Sequence, residues 1–228
     1  MTTSVQSVLP IEVEVATKPA GAEQRLFLHD VSWETYNQLL RAFDERPSVY
    51  LTYYHGALEI MTASFEHEKW KKIIGSLVEL VAGEMEIDYV SSAQTTFQLE
   101  YKAGGFEGDD SFYFSYLEQL RQMNKIDLAK DPAPDLVIEV DVSNPSINKF
   151  PLFSDLGVNE VWRYHKGALK IYGLASGGFV AVESSAFLPG VTAQAVTELI
   201  TASQSLPAYV WQRRVREYAQ QLNPSVET

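Results

Sequence analysis

Cysteine is absent from the 228-residue chain, which removes disulfides, thiolate-zinc sites and cysteine nucleophiles. Any metal must therefore be held by oxygen or imidazole. No apolar run reaches the roughly 18 residues of a membrane-crossing helix, and the opening segment lacks a basic stretch followed by an apolar one. A soluble, cytoplasmic protein is expected. Positive charge is scarce: 18 Lys and Arg face 30 Asp and Glu, a net charge of −12. A general nucleic-acid binder is usually basic, so a polyanion would need a local basic groove or bound divalent cations. Also missing are a glycine-rich phosphate loop, a Gly-x-Ser-x-Gly elbow, a dinucleotide fingerprint, internal repeats and the His-x-x-x-His spacing of a zinc helix.

What remains is a globular composition, 46% hydrophobic with 13 Gly and 10 Pro, which excludes collagen-like, coiled-coil and wholly disordered chains. Residues 1–24 mix Thr, Ser, Pro and Gly and read as a flexible arm or an added edge strand. Ser32 can cap a helix over Trp33 to Phe43. Val49 to Tyr54 and Ala57 to Met61, around Gly56, form a predicted hairpin, and Ser64 to Glu84 carries the longest helical periodicity. Strands are expected within Tyr89 to Tyr101 and over Asp110 to Tyr116, followed by a polar connection over 117–133. Asp135 to Val140 is a nearly continuous β-branched run, the pattern of a strand buried on both faces at the centre of a sheet. A short helix near Pro151 to Leu156, a meander from Val161 to Glu183, and helices Thr192 to Ile200 and Pro207 to Leu222 complete an α/β (α+β) domain with a mixed sheet.

Chemistry points to carboxylates. Glu139 lies between Val137, Ile138 and Val140, where an ionised side chain loses solvation unless a cation or donor compensates it. A divalent metal shared with Asp109 would do so, and oxygen ligands suit Mg2+ or Mn2+. Equally, Glu139 can alternate onto a solvated face or pair with Arg163. Asp135 fits a role at the start of the strand, and Asp141 shares the face of Glu139. Glu107, Asp109 and Asp110 read most simply as a solvated turn, and Lys69, Lys71 and Lys72 as a solvated helix face. Glu68 and Lys149 are the remaining charged candidates.

Five segments in order carry a family resemblance: Phe65-Glu-His-Glu68, Gly108-Asp-Asp-Ser-Phe-Tyr113, Asp131-Pro-Ala-Pro-Asp-Leu-Val-Ile-Glu-Val-Asp141, Ser146-Ile-Asn-Lys149 and Leu156-Gly-Val-Asn-Glu-Val-Trp-Arg-Tyr164. Over about residues 25–200 the chain resembles the Uma-two family of restriction-endonuclease-type proteins, abundant in cyanobacteria and part of the PD-(D/E)xK nuclease superfamily. The resemblance implies a restriction-endonuclease-like core over 25–200, with a C-terminal helix over 201–228. It implies that Asp109 and Glu139 bind Mg2+ or Mn2+, that Glu68 assists through the metal shell or its waters, and that Lys149 orients or activates the attacking water and offsets the charge on the phosphorane. The expected activity is endonucleolytic hydrolysis of DNA, by a homodimer; the other reading is an inactive nuclease fold that binds nucleic acid or protein. Two departures stand out. Gly108 replaces the proline expected before Asp109, and Asp141 stands where a lysine would follow Glu139.

Overall fold

A computed structural model describes residues 23–44, 46, 48–142 and 147–222. Residues 1–22 of the expected N-terminal arm lie outside the described residues. Strand β1 (Gln24–Leu28) precedes helix α1 (Trp33–Phe43), whose first turn is closed by Ser32, its hydroxyl accepting from the Thr35 amide at 3.1 Å. Strands β2 (Val49–Tyr54) and β3 (Ala57–Thr62) form the expected hairpin, with His55 and Gly56 both at positive φ, as a two-residue turn requires.

Ser64 caps the long helix α2 (Phe65–Glu84) in the same way, accepting from the His67 amide at 3.1 Å. After the two-residue β4 (Val90–Ser91), strands β5 (Thr96–Leu99) and β6 (Gly104–Glu107) complete a first, antiparallel sheet of order β1-β3-β2-β6-β5.

Gly108 and Asp109 then carry the chain into a second sheet. It holds β7 (Asp110–Tyr113), β8 (Leu136–Asp141), β9 (Glu160–His165), β10 (Ala168–Ala175) and β11 (Gly178–Val182), in the order β11-β10-β9-β8-β7-β4. This is the expected mixed sheet, with β8 and β9 parallel. The polar connection after β7 contains a single turn of helix, α3 (Leu117–Leu120). The crossover from β8 to β9 contains α4 (Phe150–Leu156), with Pro in its first turn and Gly157 ending it at φ 90°. Helices α5 (Ala193–Ala202) and α6 (Ala208–Leu222) close the chain.

All six residues of β8 are buried, and their alternation separates two environments. Leu136, Ile138 and Val140 pack with Trp70, Ile74 and Leu77 of α2 and with Trp211 of α6. Each such fully buried aliphatic side chain contributes about 1.5–3 kcal/mol. Val137 faces the other way, into a cluster with Phe97, Phe106, Phe153 and Val161. Glu139 and Asp141 share that second face, so both carboxylates are carried into the seam between the sheets. No helix among the described residues is long and apolar enough to cross a membrane.

Candidate active site

Asp109 occupies the link between the sheets, and β8 fixes it there. Its amide donates to the Ile138 carbonyl at 3.2 Å, and its Oδ2 accepts from the Val140 amide at 2.6 Å. It is thus clamped on both sides of Glu139. Lys149, immediately before α4, donates from Nζ to Glu139 Oε2 at 2.6 Å. The other carboxylate oxygen, Glu139 Oε1, is buried with no hydrogen-bond partner. Asp109, Glu139 and Lys149 therefore form one constellation.

Glu68 stands apart from it. In the first turn of α2, its Oε1 accepts from the Tyr50 hydroxyl at 2.8 Å, and Lys71 Nζ lies 3.6 Å from its Oε2. Its connection to the constellation runs through His67. That fully buried imidazole has Nε2 at 3.2 Å from Asp109 Oδ1 and Nδ1 at 3.8 Å from Glu68 Oε1, and neither nitrogen has a hydrogen-bond partner among the described residues. His67 was not singled out from the sequence. Its signal, an imidazole inside the first turn of a capped helix, becomes meaningful only when the strand opposite is known.

Asp141 is held by two arginines. Arg163 of β9 donates from Nε to its Oδ2 at 2.6 Å, and Arg25 of β1 reaches its Oδ1 at 3.4 Å from the other sheet. Arg25 also binds Glu23 at 2.7 Å and Glu59 at 2.5 Å. The anticipated Glu139–Arg163 pairing is thus replaced: although the two residues are register partners, Arg163 turns to Asp141 and Lys149 takes Glu139.

The solvated-turn expectation is also corrected. Glu107 accepts from the Leu51 amide at 2.8 Å and the Thr96 hydroxyl at 2.9 Å, tying β2 to β5. Asp109 is 4% exposed. Asp110 is partly buried against Gly75, where a Cβ would collide with its carboxylate. Lys71 departs from the solvated-face expectation too, donating to the Tyr50 hydroxyl at 2.8 Å and Gln94 at 3.3 Å. Asp135 has its structural role, accepting from the amides of Phe114 and Ser115 at 2.8 and 2.9 Å.

Burial sets the charges. Desolvation pushes the Glu139 carboxyl up to about 7, with Asp109 adding to the rise and Lys149 opposing it. Burial disfavours ionised Asp109 as well, but His67, Lys149 and the Val140 amide outweigh it and hold Asp109 below the usual aspartate value. For Lys149, burial works against the ammonium, yet Glu139, Glu59 and Asp109 together raise it above an ordinary lysine. Lys149 is therefore a donor and a fixed positive charge at neutral pH, with no capacity to accept a proton.

Residues 33–216 match the family Uma2, described as "Putative restriction endonuclease". The chain belongs to the Uma2 family. No match is found among curated proteins. Restriction-endonuclease-like nucleases generally use divalent metals, and the residues here fit one. The described residues contain no group of three His, Asp or Glu side chains placed to hold an ion. Mg2+, however, keeps several waters and takes one or two carboxylates plus phosphate oxygens. Asp109, which acts on Glu139 electrostatically, and the orphaned Glu139 Oε1 are hard oxygen donors of that kind. In this Uma2 protein a cavity of about 250 Å³ is lined by Glu139, Asp141, Asn148, Lys149, Phe150 and Arg163 among others, and Asp109 lies behind its lining.

Proposed function

We propose that this Uma2 protein is a divalent-metal-dependent endonuclease that hydrolyses DNA phosphodiester bonds, with Mg2+ or Mn2+ held by Asp109 and Glu139. The observation that carries this reading is the unpartnered, buried Glu139 Oε1 next to Asp109, with Lys149 fixed on the opposite oxygen. A carboxylate oxygen left bare in a buried site costs free energy unless a cation covers it. Bound there, the ion supplies positive charge and Lewis acidity against the phosphodiester.

The protein's own residues do the rest. Lys149, kept protonated by the surrounding carboxylates, donates toward the attacking water and offsets the negative charge that grows on the phosphoryl oxygens. The Val140 amide holds Asp109 in place, and His67 lies 3.2 Å from its other oxygen, where a protonated imidazole favours the carboxylate. Tyr50 and Lys71 hold Glu68, whose side chain is 44% exposed and open to water. The water oxygen bonds to phosphorus as the bond to the leaving sugar oxygen breaks; the water's proton leaves to solvent, and solvent returns one to the sugar oxygen. A two-fold homodimer would present one such site to each strand of a duplex.

The test is incubation of the purified chain with supercoiled plasmid, single-stranded DNA and RNA in magnesium or manganese, beside Glu139→Ala and Lys149→Ala. Metal-dependent nicking by the wild type that vanishes in both variants is the expected result. Silence on every substrate and metal, from folded protein, would overturn it.

A further inference from the structure

Neither the proposed metal ligands nor Lys149 use the second cation in the cleft. Arg163 is the register partner of Glu139 across the parallel β8–β9 pair, and adjacent strands lie about 4.8 Å apart. Its side chain, 29% exposed, lines the same cavity as Lys149, Asn148 and Phe150. Only Nε is used, donating to Asp141 at 2.6 Å; the two Nη groups have no partner among the described residues. A guanidinium serving only to neutralise Asp141 would engage it with two parallel N–H groups. Here Asp141 has a second arginine, Arg25, on its other oxygen. Asp141 thus acts as a handle that fixes Arg163 by one nitrogen and leaves its outer donors open to the cleft.

Two open, coplanar N–H donors match the oxygens of a phosphate. The rest of the cavity is apolar where Ile147, Phe150, Phe153 and Val161 line it, a surface suited to a sugar or base. We infer that Arg163 binds the backbone phosphate next to the one attacked, with the sugar and base of the intervening nucleotide against Phe150 and Ile147. This rests on the nuclease reading for its substrate. It adds a phosphate-binding residue at the place where Asp141 stands instead of a lysine.

The test uses the full chain, Arg163→Gln and Arg163→Lys with a short fluorescein-labelled DNA oligonucleotide. Cleavage kinetics and fluorescence anisotropy are followed in magnesium over a range of NaCl, and thermal unfolding confirms that each variant is folded. Arg163→Gln should raise KM about tenfold with kcat within about twofold, and should lower the slope of log affinity against log salt by about one phosphate contact. Arg163→Lys should restore the slope but only part of KM, because an ammonium keeps the charge and loses the two-donor geometry.

A folded Arg163→Gln with unchanged KM and salt slope overturns the assignment while wild-type cleavage leaves the nuclease reading standing. If the wild type binds without cleaving, the anisotropy slopes still decide Arg163 and only the nuclease reading falls. Absence of both binding and cleavage overturns both. Should Arg163→Gln fail to fold, Arg163→Lys decides, and an unchanged KM there counts against the assignment.

Discussion

Lys149 and Glu139 are bound to one another by necessity, since each is a buried charge that the other neutralises at 2.6 Å. Removing one partner of such a pair typically costs about 3–5 kcal/mol, because the remaining charge stays buried and uncompensated. Lys149→Met should therefore lower the urea midpoint strongly at pH 8. The loss should shrink in acid. Glu139 in the fold sits near 7, above the ordinary glutamate value of 4.5, so the stability linked to its protonated form is present below about 4.5 and is lost as pH rises through about 7. Without the ammonium that loss extends to higher pH, and protonated Glu139 needs no partner at pH 5. Denaturant titrations of both proteins at pH 5 and 8 check this; an equal deficit at the two pH values would contradict it. At this scale the sequence was partly legible. Glu139 stood out because its neighbours are apolar, whereas His67 did not, since nothing in the helix pattern reveals Asp109 3.2 Å away on another element.

Helix α2 carries a glycine, Gly75, in its buried middle, where Ala would ordinarily favour the helix by about 1 kcal/mol. The contact across the interface explains it: the Asp110 carboxylate of β7 occupies the volume a Cβ would need. Gly75→Ala should therefore destabilise the protein by roughly 1–3 kcal/mol despite its better helix propensity, and Asp110→Ser should recover part of that loss in the double variant. A thermal double-mutant cycle measures the coupling. The same packing raises Asp110 to about 6, chiefly through burial, with Lys71 and the Ser111 amide opposing. Its folded value exceeds the ordinary 3.8, so the linked stability is present below about 3.8 and lost through about 6. Asp110→Asn should be more stable than wild type at pH 8, by about 1–3 kcal/mol, with the gap narrowing toward pH 4. Element types and most boundaries were legible because period and caps are local. The solvated-turn expectation for residues 107–110 failed because those acids meet partners contributed by β2, β5, β8 and α2, none of them adjacent in sequence.

For the whole molecule, a net charge of −12 and an inter-sheet seam in which Glu23, Glu59, Asp109, Glu139 and Asp141 outnumber Arg25, Lys149 and Arg163 both oppose a polyanion. On the proposed nuclease reading, a bound cation would change that balance at the point where the phosphate would sit. Oligonucleotide binding should thus be weak in EDTA and at least tenfold tighter in magnesium, and the gain should disappear in Glu139→Ala. Folding reports the same event without any nucleic acid. Metal competes with the proton on Glu139, so magnesium should stabilise the protein little at pH 5.5, where the carboxyl is protonated, and substantially at pH 8. At a hundredfold excess over its dissociation constant the ion contributes about 2.7 kcal/mol. For a chain of this size that corresponds to a rise in Tm of roughly 5–10 °C. Thermal scans with and without magnesium at the two pH values measure it. A rise of equal size at both, or one retained in Glu139→Ala, would place the ion on other surface acids and remove the support that the bare Glu139 oxygen gives to a metal in the seam.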